Sequence, residues 1–155
     1  MRIDNLSDQP TAVDMLASWH FDEWRHLYPD ETHTDFAEDL RRSLERGAVP
    51  ATWVLVDDEG VWGSASVLEQ DMETNRELGP WLANVYVHPR HRGRGLGSQL
   101  IRHVMAQCQA RGLPALYLFT PGQEIFYETL GWQRLRRERY HGEVVTIMQA
   151  RLGED

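Results

Sequence analysis

The sequence contains no lysine, a single cysteine and no long apolar run, and each absence excludes a class of protein. One cysteine cannot form a disulfide within the chain, which excludes the disulfide framework of small secreted domains. No apolar stretch approaches the roughly 20 residues that a membrane-spanning helix needs. The amino terminus, Met-Arg-Ile-Asp-Asn-Leu, also lacks the apolar segment of a secretory signal. We therefore expect a cytoplasmic protein with no membrane partner.

With histidine neutral, arginine is the residue type that supplies the positive side-chain charge. The 24 acidic residues outnumber the 16 arginines, which gives a net charge of −8. This balance argues against nucleic acid as the main partner. The two signs are unevenly distributed: 18 of the 24 acids lie in residues 1–80, whereas 10 of the 16 arginines lie in residues 81–155. The asymmetry fits a polyanionic ligand on the carboxyl half and a cationic one on the amino half. It fits equally well an acidic surface that only keeps the protein soluble.

The most informative segment is residues 85–97, Val-Tyr-Val-His-Pro-Arg-His-Arg-Gly-Arg-Gly-Leu-Gly. An alternating apolar strand leads into a turn, a glycine-rich arginine loop and then a helix that begins near Gly97. The first turn of a helix has backbone N–H groups without intrahelical partners and the positive end of the helix dipole. Glycines leave room for a phosphate to approach these donors, and Arg92 and Arg94 add cationic groups. The segment therefore predicts a phosphate site.

Two common nucleotide motifs do not match this segment. Its glycines follow the pattern Gly93-x-Gly95-x-Gly97, which is not the Gly-x-Gly-x-x-Gly of dinucleotide-binding folds, and no acidic residue stands about 20 residues further on. The Lys-Ser/Thr pair of a P-loop is also missing. Both nucleotide-binding interpretations are therefore disfavoured.

Arg92-x-x-Gly95-x-Gly97, directly after Val-x-Val-x-Pro, resembles the acetyl-CoA signature of the GNAT superfamily of N-acetyltransferases. A second segment, Phe-Tyr-Glu-Thr-Leu-Gly-Trp at residues 126–132, resembles the block that follows the fifth strand in that family. Two motifs in the right order, about 30 residues apart, are far more specific than either alone. The resemblance covers residues 82–132 strongly and the remainder through element order.

Hydrophobic periodicity and turn signals predict the order β-α-α-β-β-β-α-β-α-β-β. The predicted strands are 2–6, 51–56, 61–68, 81–87, 115–119, 132–140 and 143–149. The predicted helices are 11–25, 97–111, 123–130 and a second helix that either Thr32 or Thr34 caps and that runs to Arg46. The resemblance implies an α/β (α+β) GNAT fold, with a mixed central sheet of six to seven strands and four helices. No repeat or linker interrupts the 155 residues, so we expect one domain over residues 1–155.

The resemblance also implies which residues hold acetyl-CoA, with no metal. Backbone of the fourth strand would hold the pantetheine arm, and the glycine-rich loop with the helix start would hold the pyrophosphate. The residues carried over are Val85, Tyr86, Val87, Arg92, Gly93, Arg94, Gly95, Leu96, Gly97 and Ser98. Where the family often has a cofactor-contacting asparagine, this chain has Thr120, whose hydroxyl can replace part of that bonding.

In the family, an amine attacks the thioester directly, which requires a neutral nitrogen and a stabilised thiolate. A free alkyl amine has a pKa of about 10, so a general base or a water chain has to take its proton. Tyr127 matches the family tyrosine whose hydroxyl points at the CoA sulfur, and we expect it to protonate the departing thiolate; the alternative is an aromatic residue that only packs its helix. Three residues are the leading choices for the base: Glu77, His141 and Asp71. Glu23 and His20, at the edge of the first helix, are weaker ones.

Several aromatic side chains fall in the region expected to line the acceptor cleft, where they would suit a cationic amine. They are Trp19, Trp24, His26, Tyr28 and Trp81. We expect Trp53 and Trp62 to belong instead to the core of the hairpin. Cys108 lies on the apolar face of its helix and is expected to be a packing residue.

The sequence thus predicts an acetyl-CoA-dependent N-acetyltransferase that acts on a primary amine of a small molecule or peptide, by direct attack in a ternary complex. Two alternatives stay open. One is a CoA-binding sensor that no longer turns over, and the other is an acetyltransferase for a hydroxyl or an aminoglycoside. The expected partners are acetyl-CoA and a cationic amine acceptor. A homodimer follows by analogy with the superfamily alone.

Overall fold

The computed structural model describes residues 1–45, 47 and 49–153. Within them the element order is the predicted one, with short 3₁₀ turns between the main elements. The strands are β1 (Arg2–Asn5), β2 (Ala51–Asp57), β3 (Gly60–Leu68), β4 (Trp81–Val87), β5 (Ala115–Thr120), β6 (Gln133–Tyr140) and β7 (Glu143–Arg151). The helices are α1 (Val13–Trp24), α2 (His33–Arg42), α3 (Leu96–Ala110) and α4 (Glu124–Glu128). No helix among the described residues is long and apolar enough to span a bilayer.

The seven strands form one open mixed sheet in the order β1-β2-β3-β4-β5-β7-β6. All neighbouring strands are antiparallel except β4 and β5, which are parallel because α3 carries the chain back between them. This is the mixed sheet with four helices that the sequence predicts, and the predicted fold class is confirmed.

Helices cover both faces of the sheet. Alternation along β2 sends Trp53 and Leu55 to one face and Val54 and Val56 to the other. The first face packs against α3, and the second packs against α1 and α2. Cys108 is 1% exposed within the first of these clusters, so the prediction that it is a packing residue is confirmed.

The second helix is shorter than the sequence predicts. Thr32 begins it with a capping box, in which Thr32 and Asp35 each accept a hydrogen bond from the other's backbone N–H. It ends at Arg42 rather than Arg46, because the backbone N–H of Ser43 bonds to Leu40 and its hydroxyl donates to the same carbonyl at 2.6 Å. Arg46 lies outside the described residues.

Strands β4 and β5 are in register at a single pair, Trp81 with Tyr117. Next to it, the Tyr117 N–H donates to the Pro80 carbonyl at 3.0 Å. Beyond this pair the two strands diverge toward their carboxyl ends, and an opening is left in the middle of the sheet.

Candidate active site

A cleft of about 610 Å³ occupies the opening between β4 and β5. Its walls are Leu82–Val87 of β4 and Leu118–Thr120 of β5. One end is bounded by the loop that precedes α3, and α4 contributes Phe126 and Tyr127. The cleft therefore brings together the two segments that carry the sequence motifs.

The loop at residues 93–97 presents bare backbone to the cleft. Gly93 and Gly95 have φ angles of 79° and 74°, in the left-handed region that glycine adopts readily, and an added Cβ would meet nothing within 4 Å at either. Gly95 is also the N-cap of α3 and offers no side-chain cap. At the α3 start, donors thus remain accessible to an anionic ligand, and Gly93 and Gly97 line the cleft.

Both loop arginines are tied to the protein. The Arg92 Nε donates to the Val87 carbonyl at 2.6 Å, and its guanidinium lies 5.4 Å from the centre of the Tyr86 ring. Arg94 Nη1 lies 2.8 Å from His91 Nδ1. Arg92 lines the cleft and fastens the loop to the end of β4, so its positive charge is held close to the glycine backbone.

Tyr127 faces the cleft from α4. Its ring packs edge-on against Phe126 and Trp132, with centroid distances of 5.1 and 6.0 Å. Burial raises the pKa of the Tyr127 phenol to about 12, so the hydroxyl keeps its proton at neutral pH. It is a packing residue that also lines the cleft with a protonated side chain.

Asp71 is the acidic side chain among the leading base choices that lines this cleft. Tyr28 donates to its carboxylate at 2.6 Å. Burial raises the pKa of Asp71 to about 7, the Tyr28 hydrogen bond opposes that rise, and the negative charges of Glu31 and Asp39 add to it. Asp71 therefore titrates in the range where a base for neutral pH has to titrate.

A second chamber of about 210 Å³ adjoins the cleft and shares Tyr28, Asp71 and Asn84 with it. Its lining includes the carboxylates of Glu31, Asp39 and Glu73 together with Arg76. Burial is the largest cause that raises the pKa values of Glu31 and Asp39. Neighbouring acids raise that of Glu31 further, whereas the hydrogen bond and charge of Arg42 oppose the rise at Asp39. The chamber is accordingly a region of negative potential beside the cleft.

Of the other residues predicted for the base, Glu77 and His141 lie away from both cavities, Glu23 lines the cleft and His20 lines the second chamber. Glu77 is exposed and pairs with Arg136 at 3.4 Å, and His141 faces Glu73 at 3.3 Å; neither is among the described residues that line the cleft or the second chamber. Glu23 lies at the cleft, 3.9 Å from Arg92. His20 is 1% exposed and bonds to Ser64, and burial lowers its pKa to about 3.

The predicted aromatic residues divide into two groups. Trp24 and Tyr28 line the cleft, and Trp19 stacks on Tyr86 with a centroid distance of 5.5 Å. Trp81 is completely buried, with its indole N–H donating to the Leu78 carbonyl, and His26 pairs at the surface with Glu143. Trp19, Trp81 and His26 are not among the described residues that line the cleft.

The two tryptophans of the β2–β3 hairpin also differ. Trp53 is a core residue, as predicted. For Trp62 the prediction is wrong: the ring is half-exposed, donates to Asp57 at 2.8 Å and lies under Arg90. The pairing of β2 with β3 passes from Leu55–Gly63 to Val56–Val61, so Trp62 is an extra residue of β3 at this end of the hairpin.

Thr120, at the end of β5, lines the cleft, and its hydroxyl oxygen accepts from the Gln123 N–H at 3.0 Å. This bond shapes the turn into α4, so the side chain organises the loop that presents Tyr127 as well as facing the cleft.

Sequence reasoning missed a β-bulge in β4. In the pairing of β3 with β4, Ser64 pairs with Tyr86 and Ser66 pairs with Ala83. Two residues of β4, Asn84 and Val85, therefore lie opposite one residue of β3, and Asn84 has a φ of 56°. The available signal was an asparagine within an apolar strand, because asparagine tolerates this conformation better than its neighbours do.

Comparison with known proteins places this cleft in a family. A family model described as an acetyltransferase (GNAT) domain matches residues 50–134, and the chain belongs to this acetyltransferase family. A human relative, N-acetyltransferase 8B from Homo sapiens, is 25% identical over 122 residues, which cover 76% of this chain and 53% of that protein. The chain thus spans about half the length of this curated relative.

Solved structures share the fold over nearly the whole chain. An aminoglycoside 6'-N-acetyltransferase complexed with coenzyme A has a TM-score of 0.73 and 18% identity, covering 100% of this chain and 99% of that one. The ribosomal-protein-S18-alanine N-acetyltransferase from Escherichia coli has a TM-score of 0.68 and 21% identity, covering 99% and 95%. At these identities the likeness establishes the fold.

Proposed function

We propose that the protein is an acetyl-CoA-dependent N-acetyltransferase that transfers its acetyl group to a primary amine by direct attack in a ternary complex. The observation that carries this proposal is the cleft between the diverging strands β4 and β5, bounded at one end by glycine backbone at the start of α3. Similarity to a CoA-bound acetyltransferase of the same fold supports the choice of cofactor.

In this proposal the diphosphate of acetyl-CoA lies against residues 92–98, where exposed N–H donors and the helix dipole favour an anion. The pantetheine arm runs along the β4 backbone from Val87 to Val85, because β5 has diverged and leaves that edge of the strand open. Thr120 borders the same path from β5. When bound, the cofactor supplies an activated acyl group and a thiolate leaving group.

Asp71 is the proposed general base. Its carboxylate faces the cleft, and a pKa of about 7 lets it be ionised and yet accept a proton near neutral pH. The Tyr28 hydrogen bond fixes the carboxylate orientation at 2.6 Å. The ammonium group first gives one proton to Asp71, and the neutral nitrogen then attacks the thioester carbon. A second nitrogen proton passes to solvent as the N–C bond forms, and the C–S bond then breaks.

Tyr127 is the proposed general acid for the departing sulfur. Its hydroxyl is protonated because burial raises its pKa to about 12. A free thiol has a pKa of about 8.5, so a proton shared with this phenol lowers the free energy of the developing thiolate. The free thiol of CoA is the product.

The acceptor is proposed to be a cationic amine. The second chamber opens beside Asp71 and carries the carboxylates of Glu31, Asp39 and Glu73. A negative potential there raises the local concentration of cations and disfavours anionic acceptors. Aromatic rings of Trp24 and Tyr28 at the cleft add favourable surfaces for a cation.

A thiol-release assay tests the proposal. Purified protein, acetyl-CoA and a panel of amines graded by charge are mixed, and free CoA thiol is followed together with the acetylated product by mass spectrometry. We expect thiol release that depends on a cationic amine. Binding of acetyl-CoA with no transfer to any amine would instead assign the alternative of a CoA sensor, and transfer to hydroxyl groups alone would assign an O-acetyltransferase.

A further inference from the structure

A buried group of polar side chains lies behind β4, and the proposed chemistry makes no use of it. His20 of α1, Thr52 of β2, and Ser64 and Ser66 of β3 are each at most 1% exposed. Buried polar groups destabilise a fold unless they are hydrogen-bonded, and an apolar residue at each position would pack without that requirement. Four buried polar side chains grouped behind β4 therefore require a structural explanation.

All four side chains connect to the bulge residue Asn84. Ser64 Oγ donates to the Asn84 carbonyl at 2.8 Å, so its oxygen is left to accept, at 2.8 Å, from the ring N–H at Nε2 of His20. Asn84 Nδ2 donates to Ser66 Oγ at 3.2 Å, and Ser66 Oγ lies 2.8 Å from Thr52 Oγ1. One series of hydrogen bonds thus holds the backbone carbonyl of Asn84, and a second series holds its side chain.

Asn84 lies in the part of β4 whose backbone borders the cleft. Asn84 and Val85 have no pairing partner in the β3 register, β5 has diverged at this level, and both residues line the cleft. A regular β4 would have a different alternation of side chains and peptide groups from this point on, because one extra residue reverses the faces of a strand.

We propose that Asn84 is a positioning residue, and that His20 and Ser64 act through it, by holding the β4 bulge in the conformation that directs the peptide groups of Val85 and Tyr86 at the acyl end of the cofactor. This inference rests on the proposed function, since the acyl group is assigned to this part of the cleft. The donors proposed for the diphosphate lie at the start of α3, beyond the carboxyl end of β4.

Two substitutions at Asn84 separate conformation from side chain. Asn84→Gly keeps access to positive φ, whereas Asn84→Val strongly disfavours it. With the parent as reference, we expect Asn84→Val to lower kcat by about 10²-fold, as for loss of one aimed backbone donor, with the KM for acetyl-CoA within about threefold. Asn84→Gly should retain kcat within about tenfold. Equal losses in the two variants, or full activity in Asn84→Val, would overturn the role of the bulge.

The contribution of His20 and Ser64 is tested by a double-mutant cycle with Ser64→Ala and His20→Phe. If both act through the Asn84 carbonyl, the double variant should lose little more kcat than Ser64→Ala alone, whereas independent effects would multiply. Multiplying effects, or an unchanged kcat in Ser64→Ala, would contradict the proposed connection.

Amide hydrogen exchange reads the bulge without reference to turnover. We expect Ser64→Ala to accelerate exchange in the segment 83–87 by about tenfold or more, with α3 unchanged. Unchanged exchange in 83–87 would refute the inference even in an active enzyme. If exchange is accelerated in Ser64→Ala but the parent protein transfers no acetyl group, the support of the bulge is retained and the proposed function is rejected instead.

Discussion

Asp71 and Tyr127 meet opposite requirements by the same physical means. Burial raises the pKa of both, which brings the carboxylate near neutrality as an acceptor and keeps the phenol protonated as a donor. The carboxylate also has neighbouring acids that favour its protonated form and a phenol that favours its ionised form. At the scale of single residues, the proposed proton transfers follow from these two environments.

Replacing Tyr127 by phenylalanine removes the proton donor and keeps the ring that packs between Phe126 and Trp132. We expect kcat to fall by about 10²- to 10⁴-fold, the range for loss of general acid catalysis, while the dissociation constant for acetyl-CoA stays within about threefold. Steady-state kinetics and calorimetric titration measure the two quantities. Tyr117→Phe is the matched control, since Tyr117 lies on β5, bonds to Gln149 and is outside the set of described cleft residues. An unchanged kcat would mean that solvent, and not Tyr127, protonates the thiolate.

Asp71→Asn tests the base through the pH profile. In the parent, kcat/KM should rise with pH through about 7, because the active form is the ionised carboxylate. The variant should lose that inflection and about 10²-fold or more of its rate at neutral pH. Glu77→Gln, in the same loop but paired with Arg136, is the comparison; if Glu77→Gln and not Asp71→Asn removed the inflection, the assignment would pass to Glu77.

Sequence could not choose between these carboxylates. Glu77 and Asp71 lie in the same charged loop, and the choice depends on a contact between Tyr28 and Asp71, 43 residues apart. A contact of that kind arises from tertiary packing, which no local pattern encodes. By contrast, the glycines at 93, 95 and 97 could be interpreted because their function depends only on local backbone.

At the scale of elements, periodicity and capping residues predict the type and order of every strand and helix. The ends are less well determined: α2 stops at Arg42 because Ser43 turns its own donors back onto Leu40, a competition that the apolar pattern does not show. The bulge at Asn84 was missed for a related reason. A strand pattern records which residues are apolar and does not record where register shifts.

The start of α2 offers a stability test. Thr32 and Asp35 form a capping box, whereas Thr34 lies inside the first turn. Thr32→Ala should lower the free energy of unfolding by about 0.5–2 kcal/mol, as for loss of an N-cap. Urea denaturation measures it, with Thr34→Ala as the control that keeps the cap. A larger loss in Thr34→Ala would mean that the cap is at the other threonine.

At the scale of the whole molecule, acidic and basic side chains are concentrated in two different regions beside the cleft. The acidic amino-terminal half supplies Glu31, Asp39 and Asp71 to the second chamber, and the basic half supplies the glycine-rich arginine loop. The uneven distribution of sign was visible in the sequence. The fold brings three of these acids together beside the cleft, which supports the proposed cationic acceptor.

The same arrangement predicts how stability depends on pH. The pKa of Asp71 is about 7 in the folded protein and near 3.8 in the unfolded chain, so the folded state binds the extra proton between these values. The contribution of Asp71 to stability is therefore present below about pH 4 and is lost as pH rises through about 7. Asp71→Asn should gain stability relative to the parent, on the order of 1 kcal/mol, between about pH 5.5 and 8.5. Chemical denaturation of both proteins at the two pH values measures this gain. A decrease, from the lower to the higher pH, in the stability of Asp71→Asn relative to the parent would contradict the prediction.

The central claim is that backbone at the start of α3 binds the diphosphate of coenzyme A, and Gly97 provides its most direct test. An added Cβ at Gly97 meets only Val87 Cγ2, at 3.8 Å, so Gly97→Ala is accommodated, whereas Gly97→Glu places a bulky anion at the proposed phosphate site. Isothermal titration with acetyl-CoA should show binding within about tenfold of the parent for Gly97→Ala and a loss of about 100-fold or more for Gly97→Glu. Equal affinity of the parent and Gly97→Glu for acetyl-CoA would contradict the account.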